Sequence, residues 1–371
     1  MIRILQVIDK MDISSGVYSM LINYYRFIDK EKIIFDFVVH DEVSEDLKEY
    51  YIDKGSIIYK LSDLSFKNLF SNAKVFTRIL ESNKYSIIHI HIPNIAFLYF
   101  NIAKRCKIPI RIMHSHNSVG SEILWKRIRN KILNQIGLFY ANRYWACSKL
   151  SAKYLFGNKK IETEKFKLIN NAIEVDKYKY NQLIRCEKRN EYNLNNKYVI
   201  GNIGRLAVQK NQEYLIDVFY EFHKNNLDSI LLIIGEGELK SKIENKISDY
   251  NLNDSVYLLG ARKDVNEILQ VIDVFVLPSL FEGLPVVSIE AQAAGLRCIL
   301  SDTITKECSI TENVIFLNLK DKYSWLNALT NCRKYNRINT DQYIIKNHYS
   351  ISEEAVYLQE CYLQEYNNLL I

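Results

Sequence analysis

Short apolar runs of strand length alternate along this chain with longer stretches of helical spacing. Residues 2–8, 33–39, 56–61, 87–92, 109–113, 144–147 and 166–170 are rich in Ile, Val, Phe and Tyr. Residues 16–28, 45–54, 69–82, 95–106 and 122–144 carry apolar positions at helical intervals instead. Gly16 opens the first of these and Gly55 closes the second, and Ser148 stands where a helix N-cap is expected. Strands buried on both faces lose the alternation of polar and apolar residues, so this rhythm predicts a doubly wound, mostly parallel α/β sheet. The charged stretch 180–197 has little apolar periodicity and reads as a linker. Strand-like runs at 198–203, 229–234, 256–259 and 274–277 then restart the rhythm. Ser352 can cap a final helix, with Glu353 and Glu354 in its first turn. The expectation is an α/β chain of two domains, 1–180 and 181–350, with a terminal helix at 351–371.

The most informative stretch follows the run 274–277. Pro278 stops that strand, a loop carries Glu282 and Gly283, and Pro285 sits where a first helical residue belongs. The helix runs to about Ala294 and Gly295 closes it. A helix start offers unpaired N–H groups and a partial positive charge, so the backbone from Gly283 through Leu284 and Pro285 to Val286 can receive a phosphate. Glu282 and Glu290 bracket that start, roughly 12 Å apart or less at about 1.5 Å per helical residue. That separation suits a diphosphate with a sugar on each end.

Glu282 and Glu290, seven residues apart within EGLPVVSIEAQAAG, resemble the E-x7-E signature of the retaining family 4 glycosyltransferases, also called glycosyl transferases group 1. Gly204-Arg205 with Lys210 resembles the family's G-R-x4-K element, the segment 171–178 its N-G-I-D-x-x-x-F joint, and 144–157 a segment of its bacterial polysaccharide members. The resemblance implies a GT-B fold, two Rossmann-like domains facing across a cleft, with the terminal helix crossing back to the first. It implies that Glu282 meets the transferred sugar and Glu290 the nucleotide ribose. Arg205 and Lys210 would hold the donor diphosphate, where an Arg fork and a Lys point charge suit phosphate oxygens. The turn Gly260 to Arg262 would seat the nucleobase, Gly16 would approach a phosphate or the acceptor, and a histidine at a strand end would act at the reaction centre. His114 is the first choice for that histidine and His116, on the acceptor side, the second. The chain departs from the family in two places: Gly295-Leu296-Arg297 lacks the proline of G-x-P, and Ser15-Gly16 stands where two glycines are usual.

His89 with His91 and His114 with His116 form two pairs at i, i+2, each on one side of its strand. Clustered histidines can ligate zinc, but no Cys or carboxylate stands at a companion spacing, so no metal and no cofactor is expected. No D-x-D cluster lies near the donor motifs, which favours metal-independent transfer.

Composition adds bounds. The 371 residues are 48% hydrophobic and 25% charged, enough apolar material for two cores. A net charge of +6 suits anionic ligands or an anionic lipid surface and does not by itself indicate nucleic acid, so no nucleic-acid partner is expected. The stretch 122–144 sets Lys126, Arg127, Arg129, Lys131 and Arg143 beside Trp125, Ile128, Ile132 and Leu133, a pattern for peripheral contact with a membrane. The 7 scattered cysteines suggest free thiols in a reducing cytoplasm, and no apolar run has the length of a signal peptide or a membrane span. The expected function is transfer of a hexosyl or N-acetylhexosaminyl group from a nucleotide-sugar, UDP-linked by preference. The acceptor would be a hydroxyl of a glycan or lipid-linked glycan, with retention, in capsule or exopolysaccharide synthesis at the inner face of the membrane. A UDP-sugar 2-epimerase and a non-catalytic donor-binding partner of another transferase share the fold and stay open at this point.

Overall fold

The computed structural model describes residues 1–12, 15–117, 120 and 123–369. The chain forms two compact units, Met1–Ala172 with Ile351–Ile371, and Ile173–Ser350. The first holds seven strands: β1 (Ile2–Val7), β2 (Ile33–Val39), β3 (Ile58–Lys60), β4 (Ile87–Ile90), β5 (Ile110–Ser115), β6 (Arg143–Ala146) and β7 (Phe166–Leu168). They lie in the order β3-β2-β1-β4-β5-β6-β7, every pair parallel. The second unit holds β8 (Tyr198–Ile203), β9 (Ser229–Ile234), β10 (Val256–Leu258), β11 (Val274–Leu277), β12 (Arg297–Ser301) and β13 (Val314–Leu317). Their order is β10-β9-β8-β11-β12-β13, again all parallel.

Each sheet is covered on both faces. One face of the first unit buries Tyr18, Leu21 and Tyr24 with Phe35, and the helix Ile351–Asn367 adds Ala355, Leu358 and Tyr362 to that core. The other face gathers Phe76, Tyr99, Phe100 and Met113. In the second unit, Ile289 and Phe275 lie in one core, Phe219 and Trp325 in the other. Burial on both sides is why β8, β9 and β11 are buried at every position and are dominated by apolar residues, with Asn202 and Ser229 the polar exceptions.

Four expectations need correction. The stretch 180–197 is no linker: Gln182–Glu191 is a helix of the second unit, capped by Asn181, whose Oδ1 accepts from the N–H groups of Leu183 and Ile184. It lacks an apolar stripe because arginines anchor it. Arg185 donates to the carbonyls of Gln270, Val271 and Ile272 at 2.7–3.1 Å, and Arg189 to Val271 O at 2.7 Å. These carbonyls end the helix Val265–Val271, where orphan acceptors favour cations. Asp273 completes the knot, 3.2 Å from Arg189, while accepting from Val199 N at 2.7 Å.

Second, the helix expected over 122–144 spans Leu124–Tyr140, and Arg143 with Tyr144 begins β6; Glu122 lies outside the described residues. Third, β5 continues through His114 to Ser115, so His114 lies within the strand. Fourth, Pro285 is the N-cap of the helix Val286–Ala293 rather than its first residue. All seven cysteines are free, and no described helix is long and apolar enough to cross a membrane.

Candidate active site

In an open parallel sheet, ligands bind beyond the strand C-termini where the strand order reverses. In the second unit that point lies between β8 and β11, and the loops leaving these two strands carry Arg205, Lys210 and Glu282.

The two loops are bolted together. Leu280 N donates to Gln209 O at 2.8 Å, Gln209 Nε2 donates to Phe281 O at 2.9 Å, and Asn211 Nδ2 to Pro278 O at 3.2 Å. Across this joint Lys210 Nζ stands 2.5 Å from Glu282 Oε1, with side chains 16% and 8% exposed. Ser279 Oγ donates to the same carboxylate oxygen at 2.8 Å and Gln209 Nε2 to the other at 3.2 Å. Ser279 is itself held from β12, where Ser301 Oγ and, just beyond, Thr303 Oγ1 donate to its carbonyl at 2.5 and 2.8 Å. Arg205 is exposed and makes no ion pair among the described residues. The backbone around it is pinned against the loop after β9. Leu206 N donates to Glu236 O at 2.9 Å, and a Cβ on Gly235 (φ +142°) or Gly237 would lie 2.1 or 2.3 Å from the carbonyl oxygens of Gly204 and Leu206. Only glycine allows that approach.

Gly283 is half-buried, and Leu284 and Pro285 are buried at the helix start. The buried Gln292 anchors that helix: Oε1 accepts from Ile310 N and Thr311 N at 3.0 Å, while Nε2 donates to Ser288 O and Cys308 O at 2.9 and 2.7 Å. Glu290 accepts from Tyr178 OH at 2.9 Å, and burial pushes its carboxyl above the ordinary range. Arg262, after β10, forks onto Asp264 at 2.8 and 2.6 Å and reaches Tyr192 OH at 3.3 Å, contacts separate from the Lys210–Glu282 pair.

In the first unit the order reverses between β1 and β4. A cavity of about 320 Å³ opens there, lined by Asp9, Ser15, His91, His116, Asn134 and Tyr154 among others. Gly16 starts the helix Gly16–Phe27, and a Cβ there would meet nothing within 4 Å, so neither crowding nor its φ requires glycine. His116 is half-buried and lines the cavity; His114 is fully buried behind it, their rings stacked with centroids 4.1 Å apart. His89, His91 and His114 each bring a ring nitrogen within 4.8 Å of the others, a distance a cation could bridge. Those nitrogens face partners of their own. His89 Nε2 lies 3.0 Å from His114 Nδ1, His91 Nδ1 2.8 Å from His116 Nε2, His91 Nε2 2.9 Å from Gln6 Oε1 and His89 Nδ1 2.6 Å from Tyr362 OH. Burial pushes all four rings below their usual pKa, His116 down to about 3, so they stay neutral.

The structure thus gathers Lys210 with Glu282, sets Arg205 and the helix start on loops at the same reversal, and places Gly16, His114 and His116 in the other unit. Gln209, Ser279 and Tyr178 support the carboxylates and were not singled out from the sequence. Tyr178 had a signal, as the last residue of the joint segment 171–178.

Two parallel-sheet α/β units, each with a ligand-side strand-order reversal, have the architecture of the GT-B fold. The chain belongs to the group 1, family 4 glycosyltransferases: the family model described as glycosyl transferases group 1 matches residues 185–318, and that described as glycosyltransferase family 4 matches residues 22–177. EpsF of Bacillus subtilis (strain 168), named as a glycosyltransferase, is 30% identical over 82% of this chain and 80% of its own. An Escherichia coli enzyme named UDP-Gal:alpha-D-GlcNAc-diphosphoundecaprenol alpha-1,3-galactosyltransferase is 27% identical over 86% of this chain and 85% of its own. Among solved structures, Anabaena HepE in complex with UDP superposes with a TM-score of 0.73 at 15% identity, covering 97% of this chain and 94% of that one. WaaG, a glycosyltransferase of lipopolysaccharide biosynthesis, superposes at 0.66 and 11% identity, covering 96% and 95%. Both likenesses establish the fold.

Proposed function

We propose that this protein transfers a sugar from a UDP-sugar to a hydroxyl of a lipid-linked glycan, with retention and without a metal ion, in surface polysaccharide synthesis. The observation that carries the reading is the bolted pair Lys210–Glu282 at the strand-order reversal of the second unit, beside Arg205 and the helix start at Pro285. Glu290 accepts hydrogen bonds from the ribose, Arg205 and Lys210 take the diphosphate, Glu282 takes the sugar hydroxyls, and Arg262 lies on the nucleobase side. An ammonium has three donors, so Lys210 can keep Glu282 and still meet a phosphate oxygen.

As the bond from the anomeric carbon to the diphosphate oxygen breaks, negative charge grows on that oxygen. Arg205, Lys210 and the N–H groups of the helix start stabilise it, the role a metal ion plays elsewhere. The acceptor oxygen bonds to the same face of the anomeric carbon and its proton passes to the departing diphosphate, which preserves the configuration. His116 contacts the acceptor and His114 stands behind it. The E. coli relative, by its name, uses UDP-Gal and a diphosphoundecaprenol-linked acceptor, which supports the choice of donor and acceptor class. Peripheral membrane contact through the helix Leu124–Tyr140 fits such an acceptor: Trp125, Ile128, Ile132 and Phe139 are 53–75% exposed beside Lys126, Arg127, Arg129 and Lys131.

The test is a panel of UDP-sugars offered with lipid-diphosphate-linked sugars in excess EDTA, with the product linkage read by NMR. Transfer that keeps the donor's anomeric configuration is expected. Arg205→Ala should lower turnover by about 100-fold or more with the melting temperature unchanged, the scale for losing one charge-stabilising donor. Full loss of activity in EDTA, or an unchanged Arg205→Ala enzyme, overturns the mechanism.

A further inference from the structure

Gln6 lies on β1, fully buried, and its amide touches both ends of a histidine network. Its Nε2 donates to Tyr362 OH at 3.1 Å and its Oε1 stands 2.9 Å from His91 Nε2. With the rings neutral, each nitrogen facing another must be either donor or acceptor, and one choice fixes the next. An amide oxygen only accepts, so His91 carries its proton on Nε2. Its Nδ1 is then an acceptor, and the nitrogen 2.8 Å away, His116 Nε2, must carry a proton. That leaves His116 with a lone pair on Nδ1.

The second column runs the other way. The Tyr362 oxygen accepts from Gln6, and the one acceptor its hydrogen reaches among the described residues is His89 Nδ1 at 2.6 Å, so it is donated there. His89 then holds its proton on Nε2 and gives it to His114 Nδ1 at 3.0 Å. His114 Nε2 is left as a donor, and it is buried with no partner among the described residues. A single amide thus polarises two stacked columns in opposite senses. Turned over, the same amide would reverse every bond in both.

We propose that Gln6 is a positioning residue that, through His91, holds His116 with its proton on Nε2 and its Nδ1 lone pair available at the cavity wall, so that the cavity takes a ligand donating a hydroxyl to that nitrogen. This rests on the reading of the first-unit cavity as the acceptor site. Asn134 lines the same cavity, and its Oδ1 is a buried oxygen without a partner among the described residues. The wall mixes hydroxyls and amides with the acceptor-only Asp9, a lining suited to a polyol such as a sugar, which both donates and accepts.

The proton positions are measured directly, without substrate, by long-range 1H–15N NMR of 15N-histidine-labelled full-length protein at pH 7. The wild type should show His116 neutral with its proton on Nε2. Tyr362→Phe removes the donor to His89 and should release the His114 tautomer while leaving that of His116 fixed. Gln6→Met should release both, and in assays of acceptor transfer should raise the acceptor KM about tenfold with little change in donor KM, the scale of one hydrogen bond lost. A wild-type His116 that is Nδ1-protonated or charged overturns the proposal, as does a His116 tautomer that follows Tyr362→Phe. If transfer itself fails for every acceptor but the tautomers stand as stated, the acceptor reading falls and the role of Gln6 in setting the ring remains.

Discussion

Burial raises the pKa of Glu290 above the ordinary carboxylate range, and the hydrogen bond from Tyr178 offsets this only in part. The proposed contact with ribose hydroxyls needs the carboxylate. Because its proton is held to higher pH than on an exposed glutamate, donor affinity should weaken on acidification earlier than for a solvated carboxylate. The stability sign follows from the same shift. A carboxyl raised in the folded state contributes stability below its unfolded pKa and loses it as pH rises through the folded value, so at neutral pH the charge is a burden. Glu290→Gln should therefore raise the melting temperature by about 2 °C at pH 7.5 while weakening UDP-sugar binding, as read by scanning and titration calorimetry. A variant that loses stability, or binds donor as well as the wild type, contradicts the assignment. The pair of glutamates was legible from residue type and spacing, since a strand, a proline and a helix start bracket them. Their support was not: Gln209 lies 73 positions from Glu282 and Tyr178 lies 112 from Glu290, and contacts over such distances leave no local pattern.

Among elements, the strands were the legible part. The first four strands of the second unit, β8 to β11, appear within a residue of the expected ends, because parallel strands buried on both faces are dominated by apolar residues, while β12 and β13 were not anticipated. The helix Gln182–Glu191 escaped because its attachment is ionic. Arg189, with 8% of its side chain exposed, is tied to Asp273 and to the carbonyls of Val271 and Leu194. Removing one member of such a buried set leaves the rest uncompensated, so Arg189→Met should cost about 3 kcal/mol of stability in the second unit. Urea unfolding followed by hydrogen exchange in β8 and β11 would show it, and an unchanged midpoint would mean the helix is held by other means. The helix Leu124–Tyr140 makes the opposite point. Its apolar positions at 125, 128, 132 and 139 have helical spacing but remain outside the core, which periodicity alone does not reveal. Trp125→Ala with Ile132→Ala should lower binding to anionic phosphatidylglycerol vesicles by about tenfold or more, since each side chain offers roughly 1.5–3 kcal/mol of burial. Binding equal to wild type would remove the membrane role.

At the scale of the molecule, the two units differ in what acid does to them. The first holds five of the seven histidines, at 40, 89, 91, 114 and 116, and burial pushes all five below their usual pKa. The second holds His223 and His348; burial lowers the pKa of His223, whose ring sits between the hydroxyls of Ser229 and Ser255. A histidine lowered in the folded state contributes stability above its unfolded pKa and loses it as pH falls below that value. Each ring that stays neutral then weakens the fold by about 1.4 kcal/mol per pH unit below roughly 6.5. The four-ring stack is faced by Gln6, Tyr362 and Trp145, and among the described residues no carboxylate hydrogen-bonds to any of the four rings, so nothing in contact rewards their protonation. The first unit should therefore open before the second as pH falls from 7.5 to 5.5. Hydrogen exchange, corrected for the intrinsic pH dependence, should show β4 and β5 losing about a thousandfold or more protection relative to β8 and β9, about tenfold for each additional ring held neutral at pH 5.5. Equal loss in both sheets, or earlier opening of the second, would show that the stack accepts protons in place, and the neutral network deduced for Gln6 and its four histidines would have to be abandoned with it.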